Sequence, residues 1–258
     1  MTRHVRFDAI DNFRDFGDYA AGQRRLKRGL LYRSANQAMA TDADLAKLAG
    51  LGLSVIVDLR RANEREKSPS RRWDGFGAQV IENDIGQDTA DEWATFITGS
   101  DLTVASFHAY MMEYYRAAPL QRRHIDLYQR YFRALAETDG AVLVHCAAGK
   151  DRTGIACALT HHVAGVHDDD IVADYLLTND HERMVARLPV MREHVASAAD
   201  GRIASDAALL AAMRVEAEYL EESFRVMREA HGSLDGYLDR VLGLDRALRG
   251  RIHDRLLA

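Results

Sequence analysis

The chain of 258 residues contains only two cysteines, Cys146 and Cys157. Two cysteines cannot form the several cross-links of a small disulfide-stabilised domain, so a reducing compartment is the expected setting. Lysine is also scarce, because only four of the 34 basic residues are lysines and the others are arginines. One of these four, Lys150, lies close to a cysteine, which draws attention to that stretch of the sequence.

The sequence also lacks an apolar run of the roughly 18 residues that a membrane span needs. The first residues, MTRHVRFDAIDNFRDF, lack the apolar segment of a secretory signal, so we expect a cytoplasmic protein without a membrane span. The net charge of -5 and the pI near 6.1 disfavour a general nucleic-acid-binding protein. Hydrophobic (47%) and charged (28%) contents are ordinary, and the length suits a single domain over 1–258.

Four short segments rich in Val, Ile and Leu are predicted strands, at 30–33, 53–59, 78–82 and 141–145. The second and the fourth are continuous apolar runs, which is typical of strands buried on both faces. Helical patterns lie between them: Thr41 and Asp44 form a predicted helix cap, and Pro119 interrupts a helical stretch over 104–137. Strands alternating with helices predict an α/β fold with a parallel-rich central sheet flanked by helices.

After residue 155 the sequence shows helical patterns only, over 153–164, 169–178, 181–198, 203–229 and 233–257. Within 203–229, apolar residues recur at spacings of three and four, at Leu209, Met213, Ala217, Leu220, Phe224 and Met227. Such a one-sided stripe mostly serves core packing, and the alternative is a mobile lid whose apolar face covers a substrate site. We therefore expect a helical, lid-like C-terminal part, roughly 180–230, within the same domain.

The stretch VLVHCAAGKDRTG, residues 142–154, combines a strand end, a turn and a helix start. The predicted strand ends at His145 and the helix begins near Asp151, so the turn consists of Cys146, Ala147, Ala148, Gly149 and Lys150. Backbone N–H groups at a helix N-terminus lack intrahelical partners, and the helix dipole adds positive charge. Successive amides around such a turn form a cradle for phosphate, and Gly149 and Gly154 allow the backbone conformation and close approach that it needs.

The side chains of this stretch are those of a phosphoryl-transfer site. The field of the helix terminus favours the thiolate of Cys146, the predicted nucleophile. Arg152 can bind two phosphate oxygens and stabilise charge in the transition state, and Thr153 can donate a hydrogen bond to the cysteine sulfur. His145 points away from its neighbour and is expected to order the loop. The alternative, a tight connection around a buried thiol, is disfavoured because Gly149, Arg152 and Thr153 occur together.

The sequence HCAAGKDRTG resembles the Cys-x5-Arg signature of the protein tyrosine phosphatase superfamily. The chain is similar to a bacterial branch that includes secreted mycobacterial tyrosine and lipid phosphatases. Further similar segments follow in order: NFRDFGDY (12–19), LYRSA (31–35), VDLR (57–60), DIVADYLLTND (170–180), RVEAEYL (214–220) and HGSLDGYL (231–238). The resemblance implies a phosphatase fold and hydrolysis of phosphomonoesters through a cysteinyl-phosphate, with phosphate bound by residues 147–152 and no cofactor. It also implies that NFRDFGDY packs beneath the loop. Because similar proteins include exported ones, export without a classical signal is the alternative to a cytoplasmic location.

The general acid is harder to assign. Much of the superfamily has an aspartate roughly thirty residues before the cysteine, but the corresponding window here, YRAAPLQRRH, contains no acidic residue. Two candidates remain: Asp151 in the loop, where the related bacterial enzymes also have aspartate, and Asp84 in ENDIG after the third predicted strand. We favour Asp151, which can also cap the helix, and keep Asp84 as the alternative. A third aspartate, Asp58, is expected to hold Arg60 or Arg61.

The resemblance implies activity on phosphotyrosine, with phosphoserine and phosphothreonine as further substrates. Lys150 adds positive charge at the predicted pocket rim, and Gly-Lys before the arginine is similar to phosphatases of inositol lipids, so a phosphoinositide phosphatase is the alternative. A pseudophosphatase that binds phosphate without turnover is a second alternative, disfavoured by the intact loop. The segment HHVAGVHDDD (161–170) could hold a metal, but positions at helix ends explain these residues as well. The expected partners are therefore a phosphorylated protein or a phosphoinositide, with phosphate or another oxyanion in the site and no nucleic acid.

Overall fold

The computed structural model describes residues 3–86 and 92–258. The strands in these ranges are β1 (Arg14–Asp15), β2 (Ala20–Ala21), β3 (Arg24–Arg25), β4 (Leu31–Ser34), β5 (Leu53–Asp58), β6 (Gln79–Ile81) and β7 (Ala141–His145). Five of them form a central sheet in the order β1–β4–β7–β5–β6, and β2 pairs with β3 in a separate hairpin. Strands β4, β7, β5 and β6 run parallel, and β1 is antiparallel at one edge. The prediction of an α/β fold with a parallel-rich sheet is confirmed.

All four predicted strands are present, with ends that differ from the prediction by no more than one residue. The apolar run of β7 is buried along its whole length because it lies between β4 and β5 and is covered on both faces. The register places Ser34 and Asp58 opposite His145, the last residue of β7. The carboxyl ends of three neighbouring parallel strands therefore meet at one sheet edge, where open α/β sheets bind their ligands.

The helices in the described ranges are α1 (Asp42–Ala49), α2 (Ala62–Lys67), α3 (Glu92–Gly99), α4 (Val104–Ala117), α5 (Arg122–Glu137), α6 (Asp151–Ala164), α7 (Asp168–Leu176), α8 (His181–Ala198), α9 (Asp206–Met213), α10 (Ala217–His231), α11 (Leu234–Arg240) and α12 (Arg246–Leu256). The predicted cap of α1 forms, because the hydroxyl of Thr41 accepts from the amide of Asp44. Pro119 separates α4 from α5 within a short 3₁₀ turn, as the sequence indicates. Within these ranges, no helix combines the length and apolar character that crossing a lipid bilayer requires.

The prediction of one helix over 203–229 is wrong, because the chain is extended between α9 and α10. The side-chain amide of Asn179 accepts from the Val215 amide N–H at 2.8 Å and donates to the Val215 carbonyl at 2.7 Å. Both backbone groups of Val215 are thus paired with a side chain from another segment. The apolar stripe consequently belongs to two helices rather than one.

The prediction of one helix over 233–257 is also wrong. Helix α11 ends before Gly243, whose φ of 69° lies in the left-handed region that favours glycine. The side-chain oxygen of Asp245 then accepts from the Leu248 amide at 2.7 Å and starts α12. Leu242 and Leu244 turn into the core at this break, so tertiary packing stabilises the interruption.

Apolar side chains form three buried clusters. The largest lies between one face of the sheet and the helices that include α5, α6, α10 and α12, and a second covers the other face beside α1. A third, separate cluster joins α3, α4, α8 and α9 through residues such as Ile97, Phe107, Val195 and Leu209. Leu220 and Met227 of α10 belong to the main core, so this helix is fixed by packing. The lid over 180–230 stays a prediction, and α8 and α9 are the helices of that range to which it applies.

Candidate active site

The loop of residues 146–150 connects β7 to α6 at the edge of the sheet where the parallel strands end. Gly149 has a φ of 65°, and a Cβ at this position would lie 2.3 Å from the carbonyl group of Ser34. A side chain is therefore excluded by both backbone strain and contact with β4. The turn predicted from VLVHCAAGKDRTG is present, with Gly149 where the loop passes closest to the neighbouring strand.

The carbonyl groups of this loop are bound from outside it. The Ala147 carbonyl accepts from the backbone and side-chain amides of Asn36 at 3.1 and 3.0 Å. The Gly149 carbonyl accepts from the Asn12 amide and from an Arg33 guanidinium nitrogen, both at 2.9 Å. In a trans peptide the N–H of the next residue points opposite to the carbonyl, so the following amides are directed into the loop. The loop thus has the form of an anion-binding cradle.

Two buried arginines lie beneath the loop. Arg14 and Arg33 share one carboxylate, that of Asp174, at 3.5 and 3.3 Å, and Arg14 also donates to the Asn12 side chain at 2.6 Å. Burial and the neighbouring Arg33 lower the pKa of Arg14 to about 10. Burial opposes ionisation of Asp174, but Arg14 and the other cations outweigh it and its pKa is lowered. The segment NFRDFGDY therefore lies beneath the loop, as the resemblance implies.

Cys146 is buried at the base of this loop, with 2% of its surface exposed, and it lines a cavity of about 530 Å³. Arg152 lines the same cavity, and its guanidinium donates to both carboxylate oxygens of Glu64 at 2.5 and 2.8 Å and to the Leu59 carbonyl at 3.2 Å. Burial alone would lower the pKa of Arg152, but Glu64 outweighs it and holds the pKa well above its usual value. Arg152 is consequently a fixed cation beside the thiol.

Glu64 is a site residue that sequence reasoning missed. Burial would raise its pKa, but the ion pair with Arg152 lowers the pKa to about 2, so Glu64 stays ionised. It also accepts from the Arg61 amide at the start of α2, at 2.7 Å. The sequence did contain a signal for Glu64, because an acidic residue follows closely after a strand that ends at the ligand-binding edge. It was missed because α2 itself was not predicted.

The two candidate acids lie in different places. Asp151 lines the cavity and accepts a hydrogen bond from the Tyr115 hydroxyl at 2.8 Å. Asp84 does not line the cavity; its side chain is 60% exposed and pairs with Arg65. The structure therefore brings Asp151, and not Asp84, to Cys146.

Lys150 lines the cavity, but its ammonium is not free at the rim as the sequence suggested. It donates to the carbonyls of Ala212 at 2.8 Å and Arg214 at 3.4 Å, and lies 3.3 Å from Asp151. The carbonyls at the end of α9 attract the cation because they lack helical partners there. Lys150 therefore links the loop to α9.

The supporting residues also differ from expectation in part. The hydroxyl of Thr153 is buried and has no hydrogen-bond partner among the described residues, so the predicted bond to the Cys146 sulfur is absent in this state. His145 lies 3.6 Å from Asp58, and burial lowers the pKa of His145 to about 4, so its ring is neutral near pH 7. Asp58 binds the Arg60 guanidinium through both carboxylate oxygens. Of the two arginines that the sequence offered as its partner, Asp58 therefore holds Arg60. Gly154 allows the ring of Tyr175 to approach, since a Cβ there would lie 2.8 Å from it.

Among the residues that the structure describes, those lining the cavity include eight Lys or Arg residues and four Asp or Glu residues. In a chain with a net charge of -5, this concentration of positive charge favours an anionic ligand in the cavity. The lining also includes apolar and aromatic side chains, here together called the aromatic wall: Trp93, Tyr110, Met111, Tyr114, Val190, Met191 and Met213. The cavity can thus bind an anion at its base and an apolar group above it.

The three histidines of 161–170 have other contacts. His161 is buried against the Phe16 carbonyl at 2.7 Å, His162 lies 3.6 Å from Asp235, and His167 accepts from the Asp169 amide at the start of α7. Within residues 3–86 and 92–258, no three His, Cys, Asp or Glu side chains are arranged to hold a metal ion.

Comparisons with known proteins are consistent with this geometry. The model of the tyrosine phosphatase family matches residues 5–258. A candidate tyrosine-protein phosphatase of Cupriavidus necator is 36% identical over 96% of this chain and 88% of its own length. The triple specificity protein phosphatase PtpB of Mycobacterium tuberculosis is 32% identical over 95% of this chain and 96% of its own length. A tyrosine-protein phosphatase of Nostoc commune is 36% identical over 57% of this chain and 47% of its own length.

The buried cluster beneath the loop gives a stability prediction. Asp174→Asn leaves two buried arginines without a counter-ion, so we expect the free energy of unfolding to fall by about 3 kcal/mol at pH 7. Because the pKa of Asp174 is lowered in the folded state, its contribution is present above the ordinary carboxyl pKa and is lost on acidification. Urea unfolding from pH 7 down to the acidic range should therefore show a difference between the two proteins that shrinks as the pH falls.

The control is Asp84→Asn, which removes an exposed ion pair and should cost no more than about 1 kcal/mol. Equal losses for the two variants would show that the buried pair adds nothing beyond a surface ion pair.

Proposed function

This chain belongs to the tyrosine phosphatase family and is a protein tyrosine phosphatase, and we propose that it hydrolyses its substrates through a phosphate ester formed on Cys146. The observation that carries the assignment is the position of the thiol at the base of the cavity, beneath a loop whose carbonyls are held outward and beside the fixed guanidinium of Arg152. Amides directed into the loop and a permanent cation together favour a bound phosphate dianion and the charge that develops in its transfer.

The first step transfers the phosphoryl group to sulfur. The Cys146 thiolate attacks phosphorus, an S–P bond forms, and the P–O bond to the leaving group breaks. Asp151 donates a proton to the departing oxygen, since it lines the cavity beside the loop. Loop amides and Arg152 bind the three equatorial oxygens throughout the step.

The second step releases phosphate. A water molecule attacks phosphorus while the Asp151 carboxylate takes up its proton, and the S–P bond breaks to regenerate the Cys146 thiolate. Glu64 serves both steps indirectly, because its bidentate contact keeps the Arg152 guanidinium in one orientation.

The aromatic wall supports phosphotyrosine as the main substrate. Cys146 is almost fully buried, so a substrate must extend into the cavity, and the ring of phosphotyrosine can pack against side chains such as Tyr114 and Met213. The triple specificity in the name of the mycobacterial relative supports phosphoserine and phosphothreonine as additional substrates. We further propose that residues 1–258 form a single phosphatase domain, and that α8 and α9, which carry Met191 and Met213, act as its lid.

A phosphoinositide phosphatase is the second candidate, and further cations that line the cavity favour it. Arg61, Lys67 and Arg187 line the cavity in addition to Arg152 and could contact further phosphates of an inositol headgroup. A parallel assay of phosphotyrosine peptides and short-chain phosphoinositides, compared by kcat/KM, separates the two candidates.

The nucleophile is tested by Cys146→Ser. We expect turnover of p-nitrophenyl phosphate to fall by about a thousandfold or more, because a neutral hydroxyl replaces a thiolate, while inorganic phosphate still binds. Steady-state kinetics and calorimetric titration with phosphate measure the two quantities. The matched control is Cys157→Ala, since Cys157 is buried behind the loop and burial raises its pKa to about 12. Turnover retained by Cys146→Ser, or abolished by Cys157→Ala, would contradict the assignment.

The general acid is tested by Asp151→Asn and Asp84→Asn with two substrates. Without its acid, an enzyme loses most on poor leaving groups, so Asp151→Asn should slow an alkyl phosphate about a hundredfold and p-nitrophenyl phosphate about tenfold or less. Asp84→Asn should affect both substrates little, because its side chain pairs with Arg65 outside the cavity. If the selective loss follows Asp84→Asn instead, Asp84 is the acid.

A further inference from the structure

We infer that Tyr115, held in turn by Tyr175, is the positioning residue that orients the Asp151 carboxyl group for proton transfer. The inference rests on the proposed role of Asp151 as the general acid. It concerns the hydroxyl groups of two tyrosines that lie on α4 and α7, well separated in sequence from the loop.

Three side chains form a continuous hydrogen-bonded series. The Tyr175 hydroxyl donates to the Tyr115 hydroxyl at 2.6 Å, and the Tyr115 hydroxyl donates to Asp151 Oδ1 at 2.8 Å. Both tyrosines are buried, whereas Asp151 faces the cavity. The series therefore runs from the protein interior to the reacting group.

The direction of these bonds determines which carboxyl oxygen is available. Burial and the Asp151 carboxylate raise the pKa of Tyr115 well above its usual value, so its hydroxyl keeps its proton. Burial and Asp151 raise the pKa of Tyr175 in the same way. Because Tyr115 occupies Oδ1, the proton that Asp151 transfers resides on Oδ2, the oxygen that Tyr115 leaves free. A fixed carboxyl plane with one free oxygen is what proton transfer to a bound substrate needs.

The loop motif and the packing both hold this series in place. Gly154 follows the loop on α6, and a Cβ there would lie 2.8 Å from the Tyr175 ring, so the glycine makes room for the tyrosine. The ring of Tyr115 stacks on Tyr219 of α10, with centroids 5.4 Å apart and planes inclined at 28°. Packing against α6 and α10 therefore holds the two tyrosines in this orientation.

Other ionisable groups also act on Asp151. Lys150 lies 3.3 Å from it, Cys146 and Arg152 line the same cavity, and Asp151 interacts electrostatically with Tyr114 and Tyr115 of α4, Tyr175 of α7 and Tyr219 of α10. The printed contacts of Lys150 do not involve the Tyr115 hydroxyl, so Tyr115→Phe removes the bond to Asp151 and the bond from Tyr175 but changes no charge. A hydrogen bond donated to a carboxylate favours its ionised form, and its removal favours the protonated acid.

The test is Tyr115→Phe, measured with an alkyl phosphate and with p-nitrophenyl phosphate. We expect kcat for the alkyl phosphate to fall about tenfold, the factor that corresponds to one hydrogen bond, with KM unchanged. Turnover of p-nitrophenyl phosphate, which needs little acid assistance, should change by less than about twofold. The alkaline limb of the kcat/KM profile should move to higher pH, because the acid remains protonated further into the alkaline range.

Two further variants separate positioning from a general structural effect. Tyr175→Phe should give the same selectivity with a smaller loss of about threefold, because its hydroxyl reaches Asp151 only through Tyr115. Tyr237→Phe is the matched control, since it removes a buried hydroxyl bonded to the Pro119 carbonyl at 2.7 Å and should show neither the selectivity nor the shifted limb. Equal losses on both substrates after Tyr115→Phe, with an unmoved alkaline limb, would overturn the inference.

The double variant Tyr115→Phe/Asp151→Asn distinguishes this inference from the proposed function. We expect it to be no more selective than Asp151→Asn alone, because the tyrosine has no acid left to orient. If Asp151→Asn shows no leaving-group selectivity, the general acid is misassigned and the inference falls with it. If Asp151→Asn is selective and Tyr115→Phe is not, the acid stands and only the role of Tyr115 is wrong.

Discussion

The outward anchoring of the loop carbonyls is the interaction on which the rest of the site depends. A phosphate cradle needs its amides directed inward, and peptide planarity allows this only when the carbonyls find partners outside the loop. Asn12, Arg33 and Asn36 provide those partners. The anchors are side chains of the N-terminal segment and of the strand β4 region, so the anion site is assembled by the fold and not by the loop alone.

The buried charges beneath the loop orient the site as well as contributing to stability. One carboxylate, Asp174, serves two buried arginines, which leaves positive charge beneath a loop that binds anions. Burying a cation that shares its counter-ion with a second cation costs desolvation free energy. Below the loop, however, the positive charge favours a bound anion. The next residue, Tyr175, supports Asp151 instead. Its hydroxyl donates to the Tyr115 hydroxyl, which in turn donates to Asp151. A single turn of α7 thus supports both the phosphate-binding backbone and the proposed acid.

Much of this arrangement could be predicted from the sequence, because its signals are local. The apolar run of β7, the glycine at 149 and the change to a helical pattern after it define a strand, a turn and a helix within fourteen residues, and the structure contains each of them. The prediction of one long helix over 203–229 was wrong, because the helix is interrupted by a contact with a distant segment, which a local sequence pattern does not reveal. Its interruption depends on the side chain of Asn179 pairing with the backbone of Val215.

The sequence by itself determined the fold class, the parallel strands, the position of Cys146 in its loop and the family. These follow from hydrophobic periodicity and from a motif of adjacent residues, both of which are properties of neighbours along the chain. Only the tertiary structure decided that Glu64 holds Arg152, that Lys150 binds the end of α9, and that Asp151 rather than Asp84 lies at the cavity. Each of these contacts joins elements that are distant in the sequence. Where such elements pack together, burial and the nearest opposite charge determine the direction in which a long side chain points.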